Sequence, residues 1–187
     1  MYQNPSIWWN IAYMDIETGV ASEVIRPNLE IPKHHLSTSL AYPIGVSFCD
    51  MGFAALFLRD GELAAAKALF MECLLKFNYV SEEGVTYCLE RMASLDSGMF
   101  SLEETLRWAW IYFAHSRRVK ERVGTAHSLR CLGQIFLKHG DEETALSLFR
   151  VALEEFSVMG VHRWRADCMM RIAEIFEHHA DVGKPPL

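Results

Sequence analysis

The chain has 187 residues, a mass of 21.4 kDa and a formal net charge of −6, with 51% hydrophobic and 22% charged residues. Such a chain can build one domain with a core or a short repeat array, and is too apolar for disorder. Its acidic balance argues against a general nucleic-acid binder. The longest uncharged stretches, Met1–Met14 and Leu36–Cys49, have 14 residues each and contain a proline. Both fall short of the roughly 18–20 residues of a membrane-spanning helix, so no membrane association is expected.

The amino terminus, MYQNPSIWWN, has no basic region followed by an apolar one, so it is not read as a secretory leader. The first 42 residues are expected to be irregular. Pro5 can start one short helix, Ser6–Glu17, ended by Gly19, with Ile7, Ile11 and Met14 on one side. At least one of Trp8 and Trp9 should pack onto the first helical unit beyond Pro43. Residues 20–42 carry Pro27 and Pro32 among polar residues and read as loop, with one helical turn around Ser22–Arg26.

From Pro43 onward apolar residues recur at three- and four-residue spacing, which predicts an all-α domain over 43–187. Glycines and polar clusters divide it into helices at about 44–59, 62–77, 82–95, 101–116, 124–138, 142–158 and 164–179. The acid pairs Glu82-Glu83, Glu103-Glu104 and Glu142-Glu143 fall in opening turns, where they oppose the helix dipole. Glu154-Glu155 is likewise a sequential pair, with nothing to place two carboxylates across a cleft.

Internal self-similarity organises these helices. FLRDGELAAAKALF (57–70) aligns with FLKHGDEETALSLF (136–149), sharing Phe57/Phe136, Leu58/Leu137, Gly61/Gly140, Ala66/Ala145, Leu69/Leu148 and Phe70/Phe149. Half that interval sets Glu103-Glu104-Thr105 on Glu142-Glu143-Thr144, and Trp110 on Phe149. RIAEIF (171–176) falls on CLGQIF (131–136). The units are then about 43–80, 81–120, 121–160 and a half unit, 161–187, each a helix A followed by a helix B.

The unit at 126–157 resembles a tetratricopeptide repeat (TPR): Leu129, Leu132-Gly133 and Phe136 in helix A, and Ala145, Phe149 and Ala152 in helix B. Small Gly133 and Ala145 let the two backbones approach while aromatic rings fill the space beside them. The first unit fits through Phe53-Ala54, Phe57, Ala66 and Phe70. The second has Leu106 and Trp110 where alanine and an aromatic belong. A right-handed TPR-like α-solenoid is therefore expected, with a HEAT- or armadillo-like solenoid as the alternative.

Further phrases are similar to the TPR-like C-terminal arrays of fungal NACHT/NB-ARC-type signalling NTPases. They are NIAYMDIETG (10–19), PIGVSFCDM (43–51), LRDG (58–61), Trp108–Phe113, SLRCLGQIF (128–136) and VHRWRADCMMRIAEIF (161–176). The resemblance implies a sensing or partner-binding array. It also implies that Ile7–Glu17 is a helix of a preceding unit. No GxxxxGK[ST] occurs, so no nucleotide chemistry and no cofactor are expected.

Catalytic and metal-ligating patterns are equally absent from the sequence. There is no HExxH and no GxSxG. The pairs His34-His35 and His178-His179 point about 100° apart on a helix and read as solvated. The five cysteines, Cys49, Cys73, Cys88, Cys131 and Cys168, include no CxxC and read as buried thiols of a reducing, cytoplasmic compartment. The cations Arg117, Arg118, Lys120 and Arg122 read as a solvated turn, with docking of an acidic peptide as the sharper alternative. Trp108 is expected in the core, and Trp110 at the core aromatic position.

The expected function is non-catalytic protein–protein interaction, with a peptide or protein partner in a groove made by the A helices. In the TPR register the groove residues are Met51, Arg59, His127, Arg130, Gln134, Lys138, Met170 and Glu174. Ala55, Gln134 and Glu174 stand where a chaperone-type carboxylate clamp needs asparagine, so that specialisation is not expected. Helix 164–179 carries a stripe, Met169, Ile172, Ile175 and Phe176, with no helix B after it within the 187 residues. This predicts a C-terminal interface, with homo-oligomerisation as one use of it. The alternative from another class is an all-α enzyme or small-ligand binder, with its pocket where the N-terminal segment meets the first repeat.

Overall fold

A computed structural model of the chain describes residues 12, 14–37, 43–78, 80–94 and 101–182. Trp8, Trp9 and most of the expected Ser6–Glu17 helix lie outside the described residues. Among the described residues the fold is all-α. After a helical turn at 14–17, the elements are α1 (Ser22–Ser37), α2 (Pro43–Arg59), α3 (Leu63–Phe77), α4 (Glu82–Ser94), α5 (Leu102–Arg118), α6 (Arg122–Lys138), α7 (Glu142–Met159) and α8 (His162–Val182). Helices adjacent in sequence pack together: α1 with α2, α2 with α3, α5 with α6, α6 with α7, and α7 with α8. The chain divides into two compact units, Met1–Met92 and Ala93–Leu187. None of the helices is long and apolar enough to cross a membrane, among the described residues.

The seven helices from α2 onward lie within a few residues of their expected bounds, because their start and stop signals act locally. Ser101 caps α5 by accepting from the Glu104 N–H at 3.2 Å, and Asp141 caps α7 by accepting from the Thr144 N–H at 3.1 Å. Gly160 closes α7 in the left-handed conformation, φ 71°.

α1 corrects the loop reading of residues 20–42. It is a full helix of 16 residues that contains both Pro27 and Pro32. Its stripe of Ile25, Leu29 and Pro32 is buried, and Leu29 lies where a side chain on Gly52 of α2 would stand, 2.7 Å from that Cβ position. Packing of this stripe outweighs the hydrogen bonds that two prolines remove. Ala12, Ile25, Leu29, Phe53 and Leu56 form the core of this region, so Ala12 and α1 share a core with α2.

Buried positions recur along the chain at intervals of 39 and 40 residues. In α2, α4 and α6 Gly45, Gly84 and Gly124 recur, as do Cys49, Cys88, Ser128 and, in α8, Cys168. In α3, α5 and α7 the sets are Ala66, Phe70, Cys73 and Phe77; Thr105, Ala109, Tyr112 and Ser116; and Ala145, Phe149, Ala152 and Phe156. This corrects the placement of Leu106 and Trp110. Trp110 is 49% exposed and meets Phe113 edge-on at 5.7 Å, while Thr105 and Ala109 are buried one residue earlier. In α5 the aromatic has moved to Tyr112, where α7 has Ala152, so bulk is conserved along the helix although its position is not.

Candidate functional site

The second unit gathers polar side chains from α6 and α8. Arg130 of α6 donates from Nη1 to Asp167 Oδ2 of α8 at 2.8 Å, and from Nη2 to His127 Nε2 at 3.1 Å. An Arg donor requires Nε2 to accept, which leaves the His127 proton on Nδ1, 3.8 Å from the Cys131 sulfur. The guanidinium carbon lies 4.4 Å from the centre of the Trp164 ring, and His127 meets the same ring at 4.6 Å. Stacking, ion pairing and hydrogen bonding thus fix one buried cation between α6 and α8.

Beside this cluster is a cavity of about 400 Å³, open on one side. Ala93 and Ser94 reach it from α4, Thr105 from α5, and Cys131, Gln134, Ile135, Leu137 and Lys138 from α6. His139, at the C-terminal end of α6, and Arg171, on α8, complete the wall. Ser94 Oγ is 3.6 Å from Cys131 Sγ. Arg171 donates from Nη1 to Glu174 at 2.9 Å, while its buried Nε lies 4.0 Å from Asp167 Oδ1, beyond hydrogen-bond reach. The cavity therefore offers amide, hydroxyl and cationic donors beside a small apolar floor, and no carboxylate among the described residues lines it.

The expected groove residues divide. Gln134 and Lys138 line the cavity. Met170 and Glu174 are exposed on α8. Met51, His127 and Arg130 are buried, and act as packing and ion-pair residues rather than as a surface. Arg59 is a tie within the first unit: it donates to the Val20 carbonyl at 2.6 Å and to the Ser22 hydroxyl, which itself donates to Asp60 at 2.7 Å. The C-terminal stripe divides too. Ile172 and Ile175 pack into the core with Phe149 and Phe156, whereas Met169 and Phe176 remain exposed. Trp108 is half-buried, its indole nitrogen buried without an acceptor among the described residues. Sequence reasoning misses Ser94, Cys131 and Arg171. The 39–40-residue interval is the signal that relates them, since Ser94 and Arg171 lie one interval either side of Cys131 within a few residues.

All five cysteines are buried thiols, and none is in a disulfide. Burial pushes the thiols of Cys49 and Cys168 up to about 11 and that of Cys73 up to about 12, and Cys88 is raised as well. These four are neutral packing groups at neutral pH. His178 Nδ1 and His179 Nε2 both reach the carboxylate of Glu142, at 2.7 and 2.5 Å, so the pair clasps the start of α7. No cluster of metal-ligating residues occurs among the described residues.

A second, shallower depression of about 470 Å³ lies between α1 and the α2–α3 pair, lined by Glu30, Lys33, His34, Ser37, Phe53, Phe57 and Leu69. No protein-family model matches the chain, and no curated protein matches it.

Proposed function

We propose that the chain is a TPR-like array of helical repeats that binds a peptide or protein partner, without catalysis, in the cytoplasm. The observation that carries the reading is the composition of the 400 Å³ cavity. Its walls come from α4, α5, α6 and α8, it is open to solvent, and each of these helices contributes a polar side chain: Ser94, Thr105, Gln134 with Lys138, and Arg171. A site of that form suits an extended segment better than a small enclosed substrate. The recurrence of buried positions every 39–40 residues supports the repeat reading, and the similarity to the arrays of fungal NACHT/NB-ARC-type NTPases supports a sensing role. The contact residues we assign are Ser94, Gln134, Lys138 and Arg171.

A photo-crosslinking residue placed at Gln134 tests the assignment. It should yield a discrete protein adduct in cells that Lys138→Glu removes. The same probe at Arg150, exposed on α7, should not yield it. Identical adducts from both positions would refute the groove. The depression between α1 and α2 favours a second reading, small-ligand binding, because it lies where that alternative requires a pocket.

A further inference from the structure

α6 and α8 carry an equivalent apolar face, and among the described residues only that of α6 is covered. On α6, Ala126, Leu129, Gly133 and Phe136 receive α7. Ala126 is fully buried, Leu129 and Phe136 pack against the cluster that holds Ala145 and Phe149, and the Phe149 ring stands 2.9 Å from where a Gly133 Cβ would be. Forty residues on, α8 has Ala166, Met169, Ala173 and Phe176 in the same order. These residues lie at i, i+3, i+7 and i+10, one stripe of a helix. Ala166 and Ala173 are exposed. Met169 is 55% exposed, Phe176 49%, and the adjoining Met170 56%. The opposite side of α8 is not available, because Cys168 and Ile175 are buried against α7.

An exposed apolar stripe alone says little. A stripe that repeats, residue for residue, the helix-receiving face of α6 specifies its occupant. Charge specifies the direction. At the α6–α7 contact Arg122, in the first turn of the A helix, meets Glu155, near the end of the B helix, at 2.8 Å. α8 begins with His162 and Arg163 and carries Glu177 toward its other end, beside Glu174, which pairs with Arg171 at 2.9 Å. A helix running antiparallel to α8, with acid near its C-terminus and base in its first turn, complements both ends.

We propose that the open face of α8 docks one amphipathic α-helix of a partner protein. That helix is of the α7 type, with small and large apolar residues at alternating four- and three-residue spacing. Ala173 places a methyl group where Gly133 leaves space for a ring, so the docked helix presents leucine there.

The test appends to the full chain, after Leu187, a flexible Gly/Ser linker of about 12 residues. Beyond the linker comes a second copy of residues 142–159, carrying Glu142→Lys, Glu143→Lys and Phe149→Leu. Tethering supplies a millimolar effective concentration and so offsets the disorder of a short isolated helix. The appended helix should slow hydrogen exchange along α8 and raise the thermal midpoint by at least about 2 °C. Both gains should disappear when Ala173→Glu and Phe176→Glu are made in α8. These two positions are exposed, so the untethered double variant should keep the parent midpoint. Unchanged exchange and midpoint, or gains that survive the two substitutions, would overturn the proposal. Sedimentation of the untethered chain gives an independent reading. A monomer is expected, and a dimer abolished by Phe176→Glu would hand the face to a second copy instead.

Discussion

Asp50 in the first unit and Arg130 in the second are both buried charges, and their surroundings are opposite in kind. Asp50 of α2 takes two ammonium groups, Lys33 of α1 at 2.5 Å and Lys76 of α3 at 3.2 Å. Both lysine side chains remain about 40% exposed; Lys33 also lies over Phe53, and Lys76 also pairs with Glu72 at 2.7 Å. The hydrogen bond to Glu72 is the main reason the Lys76 ammonium is held above its ordinary pKa. The acid is inside and its partners are wet. Arg130 is inside together with its partners: Asp167, His127 and Trp164 are all buried or half-buried. The guanidinium can be enclosed because its plane stacks while its edge donates, and it is more weakly hydrated than an ammonium. Disruption is therefore costly in the second unit and mild in the first, because a lysine left behind returns to water and an aspartate left beside a buried ring does not.

The largest effect should come from Arg130→Ala. It leaves Asp167 only the 4.0 Å contact with Arg171 Nε, removes the cover of the Trp164 ring and opens a cavity. A loss of about 3–5 kcal/mol in unfolding free energy is expected from urea titration. A loss below about 1 kcal/mol would show that the cluster is ornamental. The same substitution should also weaken partner adducts at Gln134, one turn along α6, only in proportion to lost folding. Arg130 supports the groove from behind and does not line it.

High pH separates the units by their thiols. Thiols raised by burial include Cys49, Cys73 and Cys88 in the first unit and Cys168 in the second. A folded-state pKa above the unfolded value of 9.0 means that the native state holds its proton longer. The stability this contributes is complete below pH 9 and is lost as pH rises toward 11–12. Stability should therefore be level from pH 7 to 8.5 and fall above 9. Cys73→Ala should flatten that fall more than Cys168→Ala does, measured by thermal midpoints in a pH series. Equal slopes in the two variants would count against the assignment.

Much of this is legible in the sequence, for reasons that differ by residue. The helices after Pro43 are readable because period, capping acids and glycines all act within one or two turns. α1 is not, because two prolines in ten residues outweigh the stripe Ile25–Leu29–Pro32 when local rules alone are applied. An alignment interval one residue short puts Trp110 in the core. The spacing of small residues fixes that interval, and α5 has exchanged its small and large positions. Met51 stands within a helix buried on nearly every side, 47–56, a texture that signals core rather than groove. Arg130 reads as surface because cations usually are, and nothing in a one-dimensional sequence shows that Asp167 and Trp164 come to meet it. Gln134 and Lys138 line the cavity together, as their four-residue spacing on one helix face allows.

Asp50→Ala is the milder counterpart of Arg130→Ala. It leaves Lys33 and Lys76 free to rehydrate, and Lys76 keeps Glu72. A loss of about 1–2 kcal/mol is expected. A loss equal to that of Arg130→Ala would mean that exposure of the partners does not matter.

The smallest effect should be a gain. The turns that close the B helices of the second unit both pass through the left-handed region, at Gly160 with φ 71° and at Lys120 with φ 59°. Glycine adopts that conformation without strain, whereas a side chain with a Cβ pays about 1 kcal/mol or more. Lys120 is exposed, so little packing is lost by removing it. Lys120→Gly should therefore stabilise the protein by about 0.5–1 kcal/mol, net of the entropy that glycine adds to the unfolded chain. Gly160→Lys should destabilise by a similar amount, since no atom lies within 4 Å of the added Cβ and only backbone strain remains. Thermal midpoints of the two reciprocal variants measure one quantity from both sides. A destabilised Lys120→Gly would mean that the lysine side chain contributes more to this turn than its backbone strain costs.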